Sequence, residues 1–104
     1  MSMSILSEYY ECLICGRTLG LHKHHVFEGT GRRALSEKYG CWCYLCPRHH
    51  NASEVGVHFN KQLDLKLKKK CQKILEDEKG WSRERFITVF GRNYRMGKED
   101  NNEL

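Results

Sequence analysis

Two pairs of zinc-type ligands stand far apart in the chain. Cys12 and Cys15 form a C-x2-C pair, and Cys46 and His49 form a C-x2-H pair that begins 31 positions later. Thiolate and imidazole groups suit zinc, and two such pairs can close a tetrahedron around one ion. Because four protein ligands leave no position for a substrate, the spacing predicts a structural Zn²⁺ site.

The remaining cysteines allow a second pairing. Cys43 and Cys46 also form a C-x2-C pair, which would complete the zinc site without His49. Free cysteines commonly behave as small buried hydrophobic residues, and we interpret Cys41, Cys43 and Cys71 in that way. Both pairings stay open at this point, with the histidine-containing pair favoured because its rival would leave the neighbouring histidines to be reassigned.

Four further histidines stand on both sides of the zinc pairs: His24, His25, His50 and His58. A second site explains so many imidazoles better than chance placement on the surface does. Imidazole has a near-neutral pKa and can take a proton from water, and three imidazoles accept several divalent transition metals. The alternative is that each is an ordinary surface or core histidine, which is our interpretation of His22.

Short strands and helices are expected to position these residues. Segments 21–27 and 41–46 are rich in residues that suit a pleated surface, and 34–40 forms a helical turn between them. A helix over 57–78 carries one apolar stripe, made of Phe59, Leu63, Leu67, Cys71 and Ile74. Ser82 and Gly91 bound a final helix, and residues 96–104 are expected to fray.

The composition is that of a small, basic chain. Its 104 residues are 39% hydrophobic and 30% charged, with a formal net charge of +5, so an acidic partner such as nucleic acid is favoured. We expect one domain over 1–104, with a zinc-stapled core over 12–60 and a helical extension over 61–95.

Cysteine usage and the start of the chain indicate a reducing compartment. The opening residues, MSMSILSEYYE, lack the basic and apolar parts of a secretory signal, and no run approaches the roughly 20 apolar residues of a membrane span. We therefore expect a cytoplasmic protein without a membrane partner. In that compartment six cysteines indicate metal ligands more than disulfides.

The segments CLIC, HKHHVF, YLCPRHHN and VHFN resemble the HNH endonucleases. The resemblance covers about residues 12–60 and implies an α+β chain with a zinc-stapled ββα-metal (HNH/His-Me finger) fold, followed by C-terminal helices. It implies that His24 binds a catalytic divalent cation and that His25 is the general base. It places His50 and His58 on the same cation, which would be Mg²⁺, Mn²⁺, Ni²⁺ or Zn²⁺.

Two features depart from the pattern of that family. Gly40 and Cys41 stand where a central Asn would fix the loop that holds the base. The alternatives are a weakened active site or a relocated partner, for which the candidates are Thr30, Asn51 and Asn60. In addition, His58 follows His50 by eight positions, which is more than one helical turn. A loop over NASEVG would return His58 to the site, and Asn51 or Asn60 would otherwise substitute for it.

The resemblance also indicates contacts to DNA. Arg32 and Arg33 follow the base, where the family geometry brings a phosphate that arginine can grip with two hydrogen bonds. The long helix adds the candidate DNA contacts Lys61, Lys68 and Lys69.

The expected function is that of a metal-dependent DNA endonuclease that hydrolyses phosphodiester bonds. Three segments look like small phage-encoded proteins related to HNH nucleases: HHVFEGTGRRALSEKYG, VHFNKQLDLKLKKK and FGRNY. This likeness implies a role in phage DNA recombination, repair or packaging within a bacterial host cell. One base and one cation suffice for a single cut, so two cuts in a duplex would favour a homodimer. The alternative function is a noncatalytic, zinc-stapled module that binds DNA or another phage protein.

Overall fold

The computed structural model of the chain describes residues 3–52, 56–58 and 60–95, so the tail that is expected to fray lies outside the described residues. Within them, a two-stranded antiparallel sheet and four helices form a small α+β unit. None of these helices has both the length and the apolar character needed to cross a membrane. In chain order the elements are β1 (His22–His25), α1 (Arg32–Tyr39), β2 (Trp42–Leu45), α2 (Pro47–Asn51), α3 (Lys61–Asp77) and α4 (Arg83–Phe90).

The alternation of side chains along β1 separates neighbouring histidines. β1 pairs with β2 in an antiparallel register that runs from His22 to His25. Because successive side chains of a strand point to opposite faces, His22 and His24 share one face of the sheet. Lys23 and His25 share the other face. The adjacent residues His24 and His25 therefore contact different neighbours.

Both strands are shorter than predicted, and β1 ends where the chain turns toward α1. The N–H of Val26 still donates to the carbonyl of Cys41, at 2.9 Å. The backbone of Phe27, however, bonds to a side chain, since the buried Ser36 hydroxyl accepts from its N–H at 3.0 Å and donates to its carbonyl at 2.9 Å. The hydroxyl takes the place of a strand partner, and the chain turns into the loop before α1.

α1 is a longer helix than the predicted turn, and it ends at a glycine that the fold requires. Gly40 adopts the left-handed conformation, with φ of 77°, which favours glycine. Its carbonyl accepts a hydrogen bond from the N–H of Ile5 at 2.9 Å. A Cβ at this position would collide with the backbone oxygen of Met3. Gly40 thus lets the N-terminal segment lie directly against the end of α1.

α3 begins later than predicted because a polar side chain caps it. Asn60 accepts a hydrogen bond from the N–H of Leu63 at 3.1 Å, which satisfies one of the free donors of the first turn. The predicted apolar stripe is present in part: Leu67 and Cys71 are fully buried, and Leu75 joins them. Phe59, the first predicted member of the stripe, lies outside the described residues.

α4 packs against the chain just beyond β1. Its predicted boundaries are confirmed, since Ser82 accepts a hydrogen bond from the N–H of Arg85 at 3.0 Å and Gly91 ends the helix with φ of 93°. Phe86 and Phe90 of α4 are fully buried. The Phe90 ring stacks on Phe27 with centroids 4.2 Å apart. The C-terminal helix therefore supports the strand from which the histidines project.

Candidate functional site

The four predicted zinc ligands meet at one point. One donor atom from each of Cys12, Cys15, Cys46 and His49 lies within 4.8 Å of all the others. Cys12 and Cys15 belong to a tight turn in which the N–H of Gly16 donates to the Cys12 carbonyl at 2.8 Å. Cys46 is the N-cap of α2, and His49 lies within α2.

The distances among these atoms fit tetrahedral zinc. Sulfur about 2.3 Å and nitrogen about 2.0–2.1 Å from zinc would lie about 3.8 Å apart for two sulfurs and about 3.5 Å apart for sulfur and nitrogen. The Sγ atoms of Cys15 and Cys46 are 3.8 Å apart. His49 Nδ1 lies 3.7 Å from Cys12 Sγ and 3.3 Å from Cys46 Sγ. The Cys3His group can hold a zinc ion, with Nδ1 as the histidine ligand.

Local hydrogen bonds favour the thiolate form that zinc binds. Burial by itself would raise the pKa of the Cys12 thiol. Backbone N–H groups at Cys46, Cys15 and Ile14 outweigh that effect and lower the pKa of Cys12 to about 6. The turn therefore prepares at least one of the four ligands for the ion.

The cysteine of the rival pairing lies in the hydrophobic core. Cys43 is fully buried, and burial raises the pKa of its thiol to about 12. Cys41 and Cys71 are also fully buried members of that core. The structure thus groups Cys46 with His49, and it places these three cysteines as core residues, in agreement with our interpretation of them.

Three of the remaining histidines form a second cluster. His24, His50 and His58 each place a ring nitrogen within 4.8 Å of the other two. The Nε2 atoms of His50 and His58 are 2.9 Å apart. Two nitrogens bound at right angles to one cation at about 2.0–2.1 Å would be separated by about 2.9–3.0 Å, so the spacing suits two ligands of one ion.

Helix geometry and a returning loop bring this cluster together. His49 and His50 are consecutive in α2, where successive side chains are turned by about 100°, so they reach different groups. The N–H of Val57 donates to the His49 carbonyl at 2.8 Å, and the N–H of His58 contacts the His50 carbonyl at 3.4 Å. These contacts return His58 to the site, which the NASEVG loop was expected to do.

Burial keeps His24 and His50 neutral and leaves a ligand atom of His24 free. His24 is 2% exposed, and its Nε2 has no hydrogen-bond partner among the described residues. Burial, followed by the neighbouring His50 and His58, lowers the pKa of His24 to about 3. Burial, together with His58 and His22, lowers the pKa of His50 to about 4. Neutral rings offer the lone pairs that a cation requires, and an orphaned buried nitrogen is the kind of atom that a cation would satisfy.

Two residues outside the cluster contact its rings. His22 Nδ1 lies 2.8 Å from His50 Nδ1, so the nitrogen of His50 that faces away from His58 is engaged. A carboxylate oxygen of Glu28 lies 3.9 Å from His58 Nδ1. Metal-binding histidines usually have such a partner on the second ring nitrogen. Our interpretation of His22 as an ordinary histidine missed this contact, which depends on the alternation along β1.

The expected general base has a carboxylate partner on α1. His25 Nε2 lies 2.8 Å from a carboxylate oxygen of Glu37. Of the three candidates for the role of the missing Asn, Asn60 caps α3, whereas Thr30 and Asn51 are exposed. Sequence reasoning missed Glu37, because the segment LSEKYG shows only a helical turn and does not reveal which strand residue it faces.

An open cleft of about 380 Å³ is bordered both by the three-histidine cluster, through His24 and His58, and by His25. The residues that line the cleft include His24, His25, His58 and Arg33. The guanidinium of Arg32, by contrast, lies against Gly91 at the end of α4. Of the two predicted arginines, Arg33 is the one that the structure brings to the cleft.

Two of the three predicted lysines of α3 line a cleft, and the third does not line it. Lys61 and Lys68 line a second cleft of about 300 Å³, which shares His58 and Glu28 with the first. Lys68 is also paired with Asp64 of its own helix at 2.7 Å. Lys69 follows on α3 and is half-buried.

Comparison of the chain with protein-family models, with curated proteins and with solved structures gave no match.

Proposed function

We propose that the chain is a metal-dependent DNA endonuclease of the HNH kind. The order of β1, β2 and α2 supports a ββα-metal arrangement, since these elements carry His24, His25 and His50. The Cys3His group beside α2 supports a structural role for zinc, because its four ligands leave no position for a substrate.

One observation carries the proposal: a three-histidine cluster and a further, separately held histidine border the same cleft. His24 and His58 of the cluster line the cleft together with His25. His25 belongs to the opposite face of β1, and its ring contacts Glu37 instead of the cluster. A cation-binding group beside an independent imidazole is the arrangement that phosphodiester hydrolysis by a base and a divalent cation requires.

The proposal assigns a separate role to each of these residues. His25 takes a proton from the water that attacks the phosphorus atom. His24, His50 and His58 would hold a divalent cation, which when bound supplies stabilisation of charge on the phosphate and on the leaving oxygen. Arg33, at the edge of the cleft, binds and orients the phosphate. The basic side chains of Lys61 and Lys68 lie where a neighbouring part of the DNA would pass.

Cleavage of supercoiled plasmid tests this assignment. We expect the zinc-loaded protein to produce nicked circles when Mg²⁺, Mn²⁺ or Ni²⁺ is added, because one base and one cation make one cut. His25→Ala should lower the cleavage rate by about 10²–10⁴-fold, the usual contribution of a general base. His24→Ala should instead raise the concentration of cation that half-maximal cleavage needs.

Zinc content and circular dichroism of each variant provide the control for folding, since neither substitution touches the Cys3His group. Cleavage by His25→Ala at the parent rate would refute the assignment of the base. Binding of DNA without cleavage under every cation would refute the nuclease and leave the noncatalytic DNA-binding module.

A further inference from the structure

Two strand residues and one helix residue form a compact polar group behind the proposed base. Glu37 of α1 contacts His25 Nε2 at 2.8 Å through one carboxylate oxygen. The ammonium of Lys23, on the same face of β1, lies 2.8 Å from that oxygen and 2.9 Å from the other. Lys23 also lies 4.1 Å from the ring centre of Trp42 on β2. The carboxylate is therefore held between two side chains of one strand.

The chemistry of a carboxylate decides which nitrogen of His25 carries the proton. Hydrogen bonds from Lys23 and then from His25 lower the pKa of Glu37, so the group is ionised at neutral pH. An ionised carboxylate accepts hydrogen bonds and donates none. In the neutral imidazole the proton must then sit on Nε2, and the lone pair is left on Nδ1.

We propose that Glu37 is the positioning residue that fixes the ring and the tautomer of His25, so that Nδ1 is the atom that accepts the proton. The inference rests on the proposed function for the role of His25, and on the contact between the two side chains for the tautomer. Glu37 touches neither the DNA nor the reacting water in this scheme. It acts through His25 alone.

The backbone beside Glu37 is anchored to the strand that carries the base. The adjacent Ser36 is fully buried, and its hydroxyl bonds to both backbone groups of Phe27, two residues beyond His25. The Ser36 carbonyl accepts from the N–H of Cys41 at 2.8 Å. A helix fixed at this point holds the Glu37 side chain at a constant distance from His25.

Ser36 meets the requirement that the family resemblance gives to a central Asn, and Glu37 adds a contact to the base itself. Ser36 holds the loop after the base, and Glu37 holds the ring of the base. The Ser36–Glu37 segment, which would replace the expected Asn, lies four residues before Gly40–Cys41, where the sequence departs from the family pattern.

Nitrogen NMR of the imidazoles tests the tautomer without any use of activity. In the zinc-loaded parent, long-range ¹H–¹⁵N spectra should show His25 with a protonated Nε2 and a bare Nδ1. Glu37→Gln should give a mixture of tautomers, because an amide both donates and accepts. Glu37→Ala should also give a mixture. The matched control is Glu84→Gln, an exposed glutamate of α4, which should leave the His25 signals unchanged.

Cleavage kinetics then test the consequence for catalysis. We expect Glu37→Ala to lower kcat by about 10–100-fold with KM for DNA unchanged, and Glu37→Gln to recover part of that loss. A His25 tautomer in Glu37→Ala identical to that of the parent would overturn the proposal, and so would an equal kcat. A parent that never cleaves DNA while the tautomer follows Glu37 would refute the nuclease function and support the hold of Glu37 on His25.

Discussion

His49 and His50 are neighbours in α2 yet belong to different ligand groups, which makes them a matched pair for testing the two centres. His49 Nδ1 lies among the thiols of the Cys3His group, whereas His50 contacts His58 and His22. Replacing either by alanine removes the same side chain from the same short helix. We expect His49→Ala to weaken zinc binding strongly and His50→Ala to leave it nearly unchanged.

The magnitude follows from the number of ligands. Structural zinc sites in small peptides have apparent binding free energies of about 10–16 kcal/mol, so four ligands contribute about 2.5–4 kcal/mol each. Loss of one ligand should therefore raise the Kd for zinc by about two to three powers of ten. A domain of this size is stable by only about 5–15 kcal/mol, so bound zinc would account for much of the stability of its first half. His49→Ala should accordingly also lower Tm more than His50→Ala does.

Cobalt substitution distinguishes the two centres, because only the Cys3His group supplies thiolates. Titration of reduced, metal-free protein with Co²⁺ should produce a near-ultraviolet thiolate-to-cobalt band, and competition with Zn²⁺ gives the Kd. The band should weaken in His49→Ala and persist in His50→Ala. Equal zinc affinity in the two variants would refute the division of the histidines. A parent that binds no metal with thiolate character would refute the zinc site itself.

Two further predictions concern stability and DNA binding. Glu76 joins α3 to Arg83 at 3.0 Å and to Arg95 at 2.8 Å. Burial opposes these contacts, but hydrogen bonds from Arg83 and Gln72 hold the pKa of Glu76 below its usual range. Glu76→Gln should therefore lower the free energy of unfolding, measured in urea at pH 7, by about 1–2 kcal/mol. The difference between parent and variant should shrink as the pH falls below about 4.3, because the unfolded parent then binds the proton. Equal stability of the two proteins at pH 7 would contradict this prediction. Arg33→Ala should weaken duplex binding and reduce the slope of log K against log salt by about 1. Lys79→Ala, at an exposed position just beyond α3, should do neither. Equal slopes for the two variants would remove Arg33 from the interface.

The residue types and spacings were sufficient to predict which side chains meet in the Cys3His group, whereas the grouping of His24, His50 and His58 was predicted from the family resemblance. Zinc ligands have restricted types and short local spacings, so Cys12 with Cys15 and Cys46 with His49 could be paired without knowing the fold. The caps of α4 were predictable for the same reason, because Ser82 and Gly91 satisfy backbone groups within one turn. Local patterns of this kind can be identified without the tertiary structure, because all of the interacting groups lie within a few residues of one another.

Contacts that depend on register could not be predicted in this way. Glu37 reaches His25 only because β1 directs Lys23 and His25 to the face that α1 covers. His22 reaches His50 because it lies on the other face, and a shift of one residue would exchange the two sets. The start of α3 was predicted too early for a related reason. The sequence alone does not show whether Asn60 lies within the helix or caps it, and the hydrogen bond from the N–H of Leu63 identifies it as the cap.

We expect the shared helix α2 to make metal binding at the two clusters interdependent. Through Cys46 and His49 a zinc ion would fix α2 to the turn at Cys12, and α2 in turn carries His50 and holds His58 through backbone contacts. If bound zinc orders α2, the second cation should bind more tightly to the zinc-loaded protein than to the zinc-free protein. Because such coupling is reciprocal, the second cation must raise the affinity for zinc by the same factor. The position of His49 next to His50 would then be the structural basis of this coupling, and we expect His50→Ala to abolish it while leaving the zinc ligands in place.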